Sequence, residues 1–128
     1  MSGWTGAELA KIGATEEVQI ASLGRDSSLR KPVTVWVVRH GDDLYVRSVK
    51  GRAGSWFRST QETHEGRIRA GGVQQDITFI DADHSLDDVV DAAYRAKYRQ
   101  YAGSILNSVL TPEARSSTVM LVPRPALT

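Results

Sequence analysis

Hydrophobic and polar positions along this chain alternate over short runs more often than they recur at helical spacing. Residues 18–23 alternate in this way, the pattern of a half-buried strand. Residues 33–38 and 44–49 are rich in valine and carry Trp36 and Tyr45, and Gly41-Asp42-Asp43 between them supplies turn chemistry, so a β-hairpin is predicted. A second hairpin follows from residues 67–70 and 73–80 around Gly71-Gly72, a dipeptide suited to the left-handed conformations of a two-residue turn. Residues 117–122 read as a last strand, closed off by Pro123 and Pro125.

Helical spacing is confined to a few places. Residues 5–12 put Leu9 and Ile12 on one face, with Gly13 as a stop. Residues 55–61 form a short helix that Ser55 can cap. One long helix is predicted from Ser85 as its cap to Gly103, with Asp87 and Asp88 in the first turn. Its Val90, Tyr94, Tyr98 and Tyr101 make a single apolar stripe that should face the sheet. Residues 104–110 and 111–114 add two short segments, the second with Pro112 at its first position. About six short strands, mostly joined as hairpins, with one long C-terminal helix and short flanking helices argue an α+β fold. One helix cannot cover both faces of such a sheet. Closure into a small antiparallel barrel removes the uncovered face and the exposed edges together.

Composition narrows the chemistry. At 128 residues the chain is expected to be a single domain, 1–128, which buries roughly two-thirds of its unfolded surface without disulfides. It contains no cysteine, which excludes thiol nucleophiles, disulfide frameworks and zinc knuckles. The three histidines are scattered, with too few matched acids to argue a metal site. Nothing reads as a signal peptide or membrane span, so a cytoplasmic protein is expected. The net charge of +1 hides an asymmetry: residues 25–70 hold ten Lys and Arg against five acids. Such a segment can attract a small anion, but it is too interleaved with core positions for a nucleic-acid footprint.

The cations fall around the first hairpin. Arg30 and Lys31 stand at its entry, where Pro32 restricts Lys31 to extended backbone. Just past it, Ser48, Lys50, Gly51, Arg52, Gly54, Ser55 and Trp56 put hydroxyls, positive charge, small backbone and a large ring within nine residues. That mixture suits a phosphate and an aromatic ring together. Arg47 and Ser48 lie on opposite faces of the strand, and an inward Arg47 would need a partner, for which Asp76 or Glu62 could serve. Taken singly, Trp56 and Phe57 read as core packing, Trp36 still more so, and the loop cations as solvated side chains. His64, in Thr63-His64-Glu65-Gly66, lies near this region; His40 and His84 fall in turns. Along the long helix, Tyr98 and Arg95 are the candidates to face a substrate.

The runs RKPVTVWVVR, LYVRSVKGR, WFR, GRIRAGG, AAYRAKY and TPEAR together resemble an uncharacterised bacterial family of the split-barrel flavin and deazaflavin group. Within that group the chain is similar to the deazaflavin-dependent nitroreductases, which carry Gly-Lys-Pro before the first long strand, Ser-Lys-Gly after the next and Trp-Tyr shortly after. The resemblance implies a homodimeric split barrel that binds FMN or a deazaflavin coenzyme and works by the cofactor's hydride transfer. It places Arg30, Lys31 and Thr34 on coenzyme phosphates, Ser48, Lys50 and Gly51 at the phosphate or ring edge, Arg52 among the anion contacts and Trp56 beside the rings. The sequence departs from that branch in having Ser48-Val49-Lys50 where the branch has adjacent Ser-Lys. A split barrel without a cofactor, binding a small ligand, is the alternative.

Overall fold

A computed structural model describes residues 3–124; Pro125 lies outside them. Six strands form a closed antiparallel barrel in the order β1 (Glu17–Ser22), β2 (Val33–His40), β3 (Asp43–Val46), β6 (Val119–Pro123), β5 (Val73–Asp81) and β4 (Glu65–Ala70). Pairing of β1 with β4, Ile20 opposite Ile68, completes the ring. Both predicted hairpins are present. Gly71 and Gly72 take φ of +55° and +84° in the β4–β5 turn, and Gly41 takes +61° between His40 and Asp43.

The strand alternation divides two cores. Val18, Ile20, Val37, Leu44, Val46, Ile68, Ile77, Phe79 and Leu121 pack as one buried cluster inside the barrel. Leu9 and Ile12 of α1 (Gly6–Ala14) and Phe57 of α2 (Ser55–Thr63) join it. The alternate positions Trp36, Val38 and Tyr45 face outward and pack under Val90, Tyr94 and Tyr98, which ride on or just beyond α3 (Asp87–Lys97). The predicted tyrosine stripe therefore does cover the sheet.

Several boundaries differ from expectation. The long helix stops at Lys97 and the chain continues through a 3-10 turn, Arg99–Tyr101, before α4 (Ser104–Asn107) and α5 (Pro112–Ser116). The Tyr98 amide closes the helix on the Tyr94 carbonyl, and the Lys97 and Tyr98 side chains are anchored to backbone of β2 and of the segment before β1. Ser85 does not cap the helix. Asp83 accepts from the Ser85 amide (2.8 Å) and starts a 3-10 turn, His84–Leu86, that precedes α3. Ser55 is the first residue of α2 and Gly54 is its cap. Strand β3 ends at Val46, and β6 begins at Val119, after the Ser117 and Thr118 amides have closed the end of α5 on the Ala114 and Arg115 carbonyls; the Thr118 hydroxyl serves a buried cluster of contacts.

Those contacts centre on Arg47, whose guanidinium is fully buried. Its partner is neither Asp76, which pairs with Arg67, nor Glu62, which stands by Arg30. Arg47 instead binds the buried Asp91 of α3 and donates to Thr118 Oγ1 (2.8 Å), the Val109 carbonyl (2.9 Å) and the Asp87 carbonyl (3.1 Å). Asp91 also faces Arg115 Nε of α5 at 3.3 Å. Sequence distance hid the pairing, since the acid lies 44 residues downstream on a helix. Removing one partner strands a charge in a dry site. Asp91→Ala should cost roughly 3–5 kcal/mol in urea unfolding, while Arg47→Met combined with Asp91→Leu should recover most of that loss.

Candidate functional site

Because β3 ends at Val46, the next residues peel away from the barrel and leave a cavity of about 580 Å³ on its outer face. Val37 pairs with Val46 and Glu17 with Trp36, so Trp36 lies on the outer face with β1 on one side and the chain after β3 on the other. Thr34, two residues from Trp36, shares that face and is exposed. The far wall is the segment of Tyr101, Ile105 and Val109. Val49 and Ile105 are 54% and 58% exposed at this cavity, unusual for large apolar side chains, and form an apolar rim.

The floor is rigid. Trp36 stacks on Tyr98 with ring centroids 4.0 Å apart and planes 5° from parallel. The Tyr98 hydroxyl donates to the Glu16 carbonyl and receives the Val37 amide (3.2 Å). Lys97 Nζ donates to the carbonyls of Thr15 (2.6 Å) and Val37 (2.7 Å). These side chains satisfy backbone groups of β2 beyond the point where β1 begins. Burial pushes the Tyr94 and Tyr98 hydroxyls well above the usual tyrosine range. Burial also lowers Lys97 to about 8, opposed in part by the Glu16 carboxylate.

The other end of the cavity is built for an anion. Ser48 is 2% exposed, its backbone is locked to the Ser117 hydroxyl (2.8 Å), and its own Oγ abuts Gly54, where only a glycine leaves room. That Oγ has no hydrogen-bond partner among the described residues and lines the cavity. Beside it starts α2, with no side-chain cap. The first helical hydrogen bond is from Arg58 N–H to the Gly54 carbonyl (3.0 Å), so the amides of Ser55, Trp56 and Phe57 precede it. Such amides and the helix dipole favour negative charge. Lys50, exposed at the same cavity, has no ion-pair partner among the described residues.

The expected site residues are thus divided. Thr34, Ser48, Lys50 and Trp56 come together at this cavity. Arg30 and Lys31 line a neighbouring cavity of about 430 Å³, which shares Ser55 and Trp56 with the first. Arg30 lies over Gly24 and stands 3.7 Å from both Asp26 and Glu62. Arg52 lines neither cavity: it donates to the Ser116 carbonyl (3.1 Å), approaches Asp81 and lies over the Phe57 ring. Gly51 is buried at φ +66°, and a Cβ there would stand 2.6 Å from the Glu113 carbonyl oxygen, so its glycine serves the turn. Tyr98 is buried with its hydroxyl committed, and Arg95 lines neither cavity, so neither faces a ligand here. His64 caps α2 in the left-handed conformation and is exposed; His40 and His84 are exposed too. No group of three His, Asp or Glu that could hold a metal occurs among the described residues, and no helix among them is long and apolar enough to cross a membrane. Sequence reading missed Glu17, Tyr101 and Ile105 as lining residues. For Glu17 a signal existed, since its pairing with Trp36 puts both on one face.

Comparison with known proteins gives the lineage. Residues 8–121 match the model of the family described as "Uncharacterized protein conserved in bacteria (DUF2255)". The chain belongs to this family. No curated protein matches this DUF2255 chain. Among solved structures it is similar to an F420 reductase, at 14% identity and a TM-score of 0.54, with 93% of each chain covered. An FAD-binding protein from Mesorhizobium loti gives 13% and 0.55, covering 95% of this chain and 91% of that one. An FAD- and heme-binding protein from Mycobacterium smegmatis gives 13% and 0.52, covering 91% and 64%. At these identities the shared property is the barrel fold.

Two measurements check this geometry. Gly51→Ala should lower stability by about 1–3 kcal/mol, the cost of forcing a side chain into left-handed backbone, read as an earlier denaturant midpoint. For Lys97 the folded value of about 8 lies below the free value of 10.5, so folding carries a charge penalty that is full below pH 8. Between pH 8 and 10.5 the unfolded chain binds more protons, and stability rises with pH. Unfolding midpoints followed across that window, at pH values below the tyrosine range, should climb in the parent and stay flat in Lys97→Met.

Proposed function

We propose that this protein binds a flavin-type cofactor, FMN or a deazaflavin, in the larger cavity. The ring system lies beside Trp56, and the phosphate is received by Ser48 Oγ, the opening amides of α2 and Lys50. Thr34 adds a hydroxyl from β2, and Lys31 in the neighbouring cavity is the cation toward which a longer anionic tail runs. The observation that carries this reading is the Ser48 hydroxyl, on a residue only 2% exposed, which opens on the cavity beside the uncapped start of α2 without a hydrogen bond to the described residues. A hydroxyl held in a fixed position at a cavity wall can donate to an incoming phosphate oxygen with little reorganisation. Support at the level of architecture comes from the barrels of the F420 reductase and of the two FAD-binding proteins.

A bound flavin or deazaflavin would supply hydride transfer, making the protein an oxidoreductase. The chain's own work is placement and electrostatics. Ser48 is fixed through Ser117, and Gly54 admits its hydroxyl to the helix start. The apolar rim of Val49 and Ile105 shields the rings from water.

Purified protein incubated with FMN or with a deazaflavin and then desalted should keep the chromophore and quench its fluorescence. Lys50→Ala removes a charge-assisted contact worth about 1.5–3 kcal/mol, so affinity should fall about tenfold or more. Ser48→Ala should weaken binding by a few-fold, and Arg30→Ala, whose side chain already faces Asp26 and Glu62, by less than Lys50→Ala. Failure of the folded parent protein to retain either compound would overturn the proposal in favour of a cofactor-free binding barrel.

A further inference from the structure

The same cavity has a second pole. Where one side offers Ser48, the α2 amides and Lys50, the β1 side offers two carboxylates, Glu16 and Glu17. Glu17 opens β1 opposite Trp36, is exposed, and has no ion-pair partner among the described residues. Glu16 is held in place, its Oε1 accepting from the Tyr101 hydroxyl (2.6 Å) and from Gln100 Nε2 (3.2 Å). Lys97 feels the Glu16 carboxylate. Its ammonium is spent on the Thr15 and Val37 carbonyls, and it does not line the cavity. Two aromatic rings already fixed in position line the same cavity: Trp36, stacked on Tyr98 and paired across strands with Glu17, and Tyr101, 5.3 Å from Trp36 and tied to Glu16.

Neither feature alone would define a ligand, but both belong to one concavity of about 580 Å³, on whose far side the Ser48 hydroxyl, on a residue only 2% exposed, opens without a hydrogen bond to the described residues. A carboxylate pair flanked by rigid indole and phenol rings favours a planar, positively charged group. The carboxylates attract the charge, and the electron-rich ring faces favour the same cation. We propose that the Glu16–Glu17–Trp36–Tyr101 end of the cavity is a subsite for an organic cation of the aromatic amidinium or ammonium class. In the flavin reading this is where the substrate enters. The subsite itself depends only on groups of the chain and stands without that reading.

Benzamidine and its neutral isostere benzamide test it on protein free of flavin, with intrinsic tryptophan fluorescence as the readout because Trp36 forms the wall. Benzamidinium should quench with an affinity about tenfold or more above that of benzamide, as loss of a charge-assisted contact would dictate. Glu17→Gln, an exposed substitution outside both cores, should abolish that preference while leaving the thermal midpoint unchanged. Glu16→Gln should reduce it, and Lys50→Ala should leave it intact. Equal affinity for the two probes, binding of neither, or a preference that survives both glutamate substitutions would overturn the proposal. A parent protein that rejects flavin but keeps the benzamidinium preference would sink only the earlier reading, and the converse result only this one.

Discussion

A guanidinium buried where the third strand ends is the constraint on which the rest of this molecule depends. Arg47 stands on the outward face of the barrel, a position that in a solvated sheet would cost nothing. Here α3 covers that face, so the charge must be neutralised and its donors filled inside the protein. Three separate pieces of chain answer: Asp91 and the Asp87 carbonyl from the helix, Val109 from the segment after α4, and Thr118 from the approach to β6. Arg115 adds α5 through Asp91. One side chain thereby ties α3 to the segment after α4, to the approach to β6 and, through Asp91, to α5.

The cavity is a consequence of that arrangement. Past Val46 the Ser48 amide and carbonyl are engaged by the Ser117 hydroxyl in place of a strand partner, and the chain runs on to the start of α2. The second wall is fixed by the opposite requirement. β2 extends past the beginning of β1, and the backbone groups left over are taken by Lys97 and Tyr98 at the end of α3, where Trp36 lies flat on Tyr98. Two solutions to unsatisfied polar groups thus produce the two walls of one concavity.

What was legible in the sequence follows from range. Alternation and turn residues are local, so both hairpins, the barrel class and the tyrosine stripe could be read directly from neighbouring residues. The resemblance to the bacterial family rested on whole runs of residues and agrees with the family match. Long-range partners left no such trace. Asp91 is one acid among several on a helix, and nothing near Arg47 in sequence marks it as the mate. The helix end at Lys97 was equally hidden, because the residues there are good helix formers whose side chains are anchored to backbone of β2. For the site, cations close in sequence were expected to act together. The glycines between them instead turn the chain so that Arg52 lies over Phe57 and Lys50 faces the cavity.

Trp56 and Ser55 border both cavities, so the two are chambers with a common partition. Space on the two sides of such a partition is not independent: a rotation of the indole that widens one chamber narrows its neighbour. A ligand in either chamber therefore presses on the same indole, and the space it leaves its neighbour is set by where that one side chain rests.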